Sequence, residues 1–156
     1  MGCSGTIKQS QMSTLHFSED AIKQTDRYML VQALWDNLRA GIPGASVAEQ
    51  VVYEEFETGL YGFGTYVDKY TFKVAFNGQQ LCLEYRSEQG GCVGDQVYHE
   101  VYYSVGNDLF KGSICVFESS IFCCKQWTME GELASVKAAV DQIVSELVKH
   151  ELIVKA

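Results

Sequence analysis

A single dipeptide, Asn77-Gly78, restricts the folds open to this chain more than any other feature. Asn-Gly is the preferred centre of a two-residue type I′ hairpin turn, because both positions take a positive φ. The segments on either side, 65–76 and 79–86, alternate as half-buried strands do. A turn of fixed length also fixes register. Phe76 then faces Gln79, Val74 faces Leu81, Phe72 faces Leu83 and Tyr70 faces Tyr85. That face is almost wholly apolar and must be covered. The other carries Thr71, Lys73, Cys82 and Glu84, with Lys73 diagonal to Glu84.

Strand character continues through 95–105, where Val97, His99, Val101, Tyr103 and Val105 share one side. Tyr98, Glu100, Tyr102 and Ser104 share the other. Gly106, Asn107 and Asp108 supply the next turn. Segments 109–117 and 120–127 read as two more strands, the second apolar on both faces at Ile121–Cys124. Helical spacing marks 19–40, capped by Ser18, with Ile22, Met29, Ala33, Leu34 and Leu38 as its stripe. Gly41 is expected as a left-handed cap, and Pro43 as a block to continuation. Ser46 and Glu49 form a capping box for a shorter helix over 47–57, although VVYEEF also suits a strand. A long helix over 129–152 starts at Thr128 and buries Leu133, Val136, Val140, Ile143 and Leu147.

The expected fold is therefore α+β: an antiparallel meander of about five strands, with an N-terminal helix pair and a long C-terminal helix packed on it. The order of elements resembles helix-grip lipid-binding folds in architecture, with no motif in support. With 156 residues, the chain suits one domain, 1–156, in which 1–10 form a flexible arm.

The net charge is −8, and no basic patch breaks it. Nucleic acid is an unfavourable partner for such a surface. A basic protein surface is a better one. No run reaches the ~18 apolar residues of a membrane span, and no signal peptide opens the chain. The expectation is a cytoplasmic protein whose six cysteines stay reduced. Cys82, Cys115, Cys123 and Cys124 fall in expected strands, packing as small apolar groups. The opening Met-Gly-Cys-Ser-Gly-Thr fits a myristoylation pattern, with Gly2 as acceptor and Cys3 placed for a second chain. In a eukaryote this pattern would anchor the protein to a membrane. Elsewhere it is coincidence.

Two glycine-rich stretches attract attention. In 59–66, Tyr61, Phe63 and Tyr66 are interleaved with Gly62 and Gly64. Mobile backbone with large aromatic surfaces suits recognition, and it equally suits a bent edge strand covering a core. In 89–95, Gly91 precedes Cys92, the cysteine best placed for exposure in a loop. A thiol nucleophile would need a nearby base, and His99 lies on the following strand. An inert loop thiol is the plainer reading. Because each hairpin reverses direction, the segments near 60, 90 and 119 share one end of the sheet. Tyr98 and Tyr102 add a face suited to a partner or to coverage by a helix. His16, His99 and His150 are too scattered for a metal site, and no cofactor motif is present. His99 itself reads as a packed or surface histidine.

Three functional expectations follow. The first is a non-enzymatic interaction domain, an adaptor, inhibitor or immunity-type binder, using the glycine and aromatic loops at one sheet end. The second is a carrier of a small apolar ligand under the last helix. The third is a thiol enzyme using Cys92. No catalytic constellation favours the third.

Overall fold

The computed structural model describes Leu15, Phe17 and residues 25–47, 49–58, 64–90, 96–107, 109–120 and 124–154. In chain order the elements are α1 (Thr25–Gly41), β1 (Ser46–Val47), β2 (Val52–Thr58), β3 (Thr65–Phe76), β4 (Gln79–Gly90), β5 (Gln96–Val105), β6 (Phe110–Ser119) and α2 (Met129–Lys149). The strands form one antiparallel sheet in which β3, β4, β5 and β6 follow in order, and β1 and β2 lie end to end along β3. Both helices contribute to a single core with one face of this sheet, so the fold is a two-layer α+β domain.

The central hairpin takes the register that its turn dictates. Asn77 has φ 46° and Gly78 φ 74°, and Phe76–Gln79, Val74–Leu81, Phe72–Leu83 and Tyr70–Tyr85 are direct partners. All of these except Gln79 are buried. The core-facing residues stack in rows across the sheet: Val74, Leu81, Val105 and Phe110; then Phe72, Leu83, Tyr103 and Gly112; then Tyr53, Tyr70, Tyr85, Val101 and Ile114. Gly112 is needed where it stands, because a Cβ there would lie 2.6 Å from the Tyr103 hydroxyl.

Several expectations are corrected. The expected antiparallel sheet is present with six strands, but among the described residues one N-terminal helix stands where a pair was expected. Segment 47–57 is strand, because Val52 to Thr58 pair residue by residue with Thr71 to Thr65. The capping box of Ser46 and Glu49 yields to that pairing, and Ser46 joins β1. The buried stripe of α1 is Leu30, Val31, Leu34, Trp35 and Leu38, while Met29 is half exposed. Gly41 ends α1 without a left-handed turn. Its small size admits Val144 of α2, whose methyl would sit 2.9 Å from an added Cβ; the left-handed residue is Gly44. Cys124–Thr128 is not a strand, and Cys123 lies outside the described residues. Cys82 and Cys115 are on strands but face away from the core, and Cys115 and Cys124 are exposed. Cys82, Cys115 and Cys124 are free thiols.

Helix α2 starts at Thr128, whose Oγ1 accepts a hydrogen bond from the Gly131 N–H at 3.0 Å. It closes through Glu151 N–H to Val148 O and Leu152 N–H to Leu147 O, with Glu151 at φ 60°. This is a Schellman closure with a non-glycine residue at its left-handed position. No helix of the described residues is long and apolar enough to cross a membrane.

Candidate functional site

One row nearer the glycine-rich end, the core-facing sheet surface turns polar. Glu55, Asp68, Ser87, His99 and Phe117 are successive cross-strand partners over five strands. Ser87 and His99 are buried there. The last pairing depends on a bulge in β6. His99 opposes Phe117 and Glu100 opposes Cys115, which leaves Val116 as the extra residue. An unbulged register would oppose His99 with Val116 and Val97 with Glu118. The inserted residue instead turns Phe117 inward, sets Ser119 opposite Val97, and leaves Glu118 exposed. Bulges re-aim side chains in this way beside functional sites.

Glu132, in the first turn of α2, covers the row and is almost wholly buried, at 2% exposure. Its Oε1 receives the Trp127 indole N–H at 2.5 Å. The Tyr85 hydroxyl donates to Oε2. His99 Nδ1 lies 2.8 Å from Oε1 and 2.9 Å from Oε2. A carboxylate accepts only, so the imidazole carries its proton on Nδ1, and Nε2 is the nitrogen left for other chemistry. Burial pushes the Glu132 carboxyl up, but the His99 contact, followed by the bonds from Tyr85 and Trp127, outweighs it and holds the group below the usual carboxylate range. Burial first, then the Glu132 charge and the hydrogen bond to it, drive the Tyr85 phenol well above its ordinary value.

His99 forms part of the wall of an open cavity of about 320 Å³ between α1, the ends of β5 and β6, and the segment leading into α2. Leu30, Val97, Phe117 and Trp127 provide apolar surface, and Asp26, Arg27, Ser119 and Lys125 provide polar groups. Phe117 also packs on the imidazole, with ring centres 5.4 Å apart. Arg27 is anchored by its Nη1, which donates to Asp68 Oδ1 at 2.7 Å. Burial raises the Asp68 carboxyl above its ordinary value against the opposing pull of Arg27. A fixed imidazole nitrogen beside apolar walls can accept a proton, donate one, or hold a polar ligand atom. Among the described residues no group of three metal-ligating side chains converges.

The sequence-selected residues are distributed as follows. Tyr61, Gly62, Phe63, Gly91, Cys92, Gly2 and Cys3 lie outside the described residues. The strand ends that flank the two glycine-rich stretches do meet: Thr65 pairs with Gly90, Gly90 with Gln96, and Val97 with Ser119. Gly64 approaches Gly90 so closely that a Cβ on Gly90 would lie 2.7 Å from the Gly64 carbonyl. Tyr66 is exposed and donates to Glu55 Oε2 at 2.7 Å. Tyr98 and Tyr102 are half-buried on the sheet face away from the core. Tyr98 donates to Glu100 at 2.8 Å, and the Arg86 guanidinium stacks on Tyr102 at 5.4 Å. The Tyr102 phenol is pushed up to about 12, first by its hydrogen bond to Glu100 and then by burial. Glu84 on this face is met by Lys69 at 3.6 Å and by Arg86 at 2.9 Å, not by Lys73; the Arg86 contact is close in distance without the angle of a hydrogen bond.

Sequence reasoning passed over Glu132, Trp127, Arg27 and Asp68. Two signals pointed to Asp68 and Glu132, and none to Trp127 or Arg27. Extending the Asn77-Gly78 register beyond Tyr70–Tyr85 reaches Asp68–Ser87, and extending the α2 stripe back from Val136 reaches Glu132. Compared with protein-family models, with curated proteins and with solved structures, the chain matches none.

Proposed function

We propose that this protein is a non-enzymatic binding domain whose ligand is a small molecule seated in the cavity beside His99. The observation that carries this reading is the buried Glu132–His99 pair placed at a cavity wall otherwise formed largely by Leu30, Val97, Phe117 and Trp127. Apolar walls with a few fixed polar groups are the usual composition of a small-molecule site. Stability alone gives little reason for the arrangement. A buried ion pair is often no better than well-packed apolar residues of the same volume. Here the polar residues cluster in the one row that borders the cavity, while the deeper rows are apolar or aromatic.

This favours the carrier reading, with an amphipathic rather than a purely apolar ligand. N-phenyl-1-naphthylamine, an uncharged aromatic dye, is a suitable probe, because its fluorescence rises on leaving water. Saturable 1:1 binding is expected, weakened at least about tenfold by Val97→Trp, which fills the cavity from its wall. Absence of saturable binding, or an unaltered affinity in the Val97→Trp protein, overturns the proposal. A partner-binding role is favoured separately by one observation: the sheet face bearing Tyr98, Glu100, Tyr102 and Arg86 points away from both helices. Retention of a host protein by the wild type, lost in a Tyr98→Ala/Tyr102→Ala variant, tests that role. Equal retention by both removes it.

A further inference from the structure

The charged groups at the cavity are unevenly distributed. Arg27, Lys125 and His99 are among its lining residues, whereas Asp26 is the one carboxylate there among the described residues. The acids that hold Arg27 and His99 stand behind them. Asp68 holds Arg27 at 2.7 Å, and Glu132 holds His99 at 2.8 Å, and neither carboxylate lines the cavity. Arg27 engages Asp68 through Nη1. A guanidinium has five N–H donors in a fixed fork, so this bond orients the group without exhausting it. His99 is engaged at Nδ1 and therefore meets a ligand with Nε2. Lys125 is exposed, and no ion pair among the described residues claims it.

We propose that the ligand is an organic anion, its apolar body against Phe117, Val97 and Leu30 and its acidic group between Lys125, Arg27 and His99. The inference rests on the ligand-binding reading above and names the class of molecule bound. Hydrogen bonds from charged donors to an anion are roughly twice as strong as neutral ones. The effect is larger in a partly enclosed site than in open water. The two carboxylates hold Arg27 and His99 in place before the ligand arrives. Little ordering of the site then remains to be done on binding.

Two dyes with the same aromatic body separate the headgroup from the apolar contact. N-phenyl-1-naphthylamine is neutral, and 8-anilinonaphthalene-1-sulfonate carries one sulfonate. In titrations of the full chain the sulfonate dye is expected to bind at least about tenfold more tightly. Lys125→Gln, on an exposed segment outside the core, should reduce that preference at least about threefold. Lys111→Gln, an equal loss of charge on the opposite sheet face, should leave the preference intact. Equal affinities, tighter binding of the neutral dye, or equal effects of the two substitutions overturn the headgroup inference. In each of those cases saturable binding of the neutral dye still supports the ligand-binding reading. Failure of both dyes to bind removes both proposals.

Discussion

Replacing Glu132 by glutamine changes one atom and removes one charge, and the structure dictates the consequence. Glu132 accepts from Trp127, Tyr85 and His99 with two oxygens. A glutamine offers one carbonyl oxygen and an NH₂ group. The carbonyl can serve two donors, and the NH₂ obliges the third partner, phenol or imidazole, to turn acceptor, so the charge-assisted bonds are lost. Tyr85 and His99 are both buried, and water cannot replace the lost partner. A hydrogen bond to a charged group contributes about 1.5–3 kcal/mol, so Glu132→Gln should cost about 2–3 kcal/mol. In urea this lowers the midpoint by about 1 M. The transition can be followed by tryptophan fluorescence, since Trp127 is part of the cluster. The pH dependence has a definite sign. Glu132 has a lowered carboxyl pKa in the native state. Its contribution is complete above the unfolded value of about 4.3 and is lost as pH falls through the lower native value. Glutamine does not titrate, so the stability gap between the two proteins should be constant near neutrality and should narrow in acid. A loss below about 0.5 kcal/mol at neutral pH, or a gap that does not narrow, refutes the assignment of Glu132 as a charged hub.

Three further outcomes test the fold that presents the cluster. Gly78→Ala should cost about 1 kcal/mol by thermal unfolding; with nothing within 4 Å of the added Cβ, the penalty arises from φ 74° alone. Thr128→Ala removes the acceptor for the Gly131 N–H and should cost about 1 kcal/mol, with fraying detectable by hydrogen exchange in the first turn of α2. Glu151→Gly should stabilise by about 0.5 kcal/mol, because glycine takes φ 60° without the Cβ penalty that glutamate bears.

The legible part of this chain is the part governed by local chemistry. Asn77-Gly78 fixed the pairing of β3 with β4, and Thr128 with the periodic stripe behind it located α2. Where local and tertiary preferences disagreed, tertiary contact prevailed. Ser46 and Glu49 form a sound capping box, yet Val52 to Thr58 pair along β3, where β-branched and aromatic residues gain a strand partner. In α1, pattern matching selected Leu34 and Leu38, which are buried, together with Met29 and Ala33, which are not; packing takes Leu30, Val31 and Trp35 in their place. The candidate site was hidden for a related reason. A buried glutamate looks like an ordinary surface residue until the histidine, tyrosine and tryptophan that hydrogen-bond it are brought in from β5, β4 and the segment before α2. The bulge at Val116, which sets Phe117 and Ser119 at the cavity in place of Val116 and Glu118, has no signature in residue type alone.

The state of the His99 ring tests the account most directly. With Nδ1 held by the Glu132 carboxylate, long-range proton–nitrogen NMR on the folded protein should show Nδ1 as a protonated, hydrogen-bonded nitrogen. An imidazole with its lone pair on Nδ1 would mean that Glu132 does not hold the ring and that the cavity lacks the fixed nitrogen on which both proposals depend.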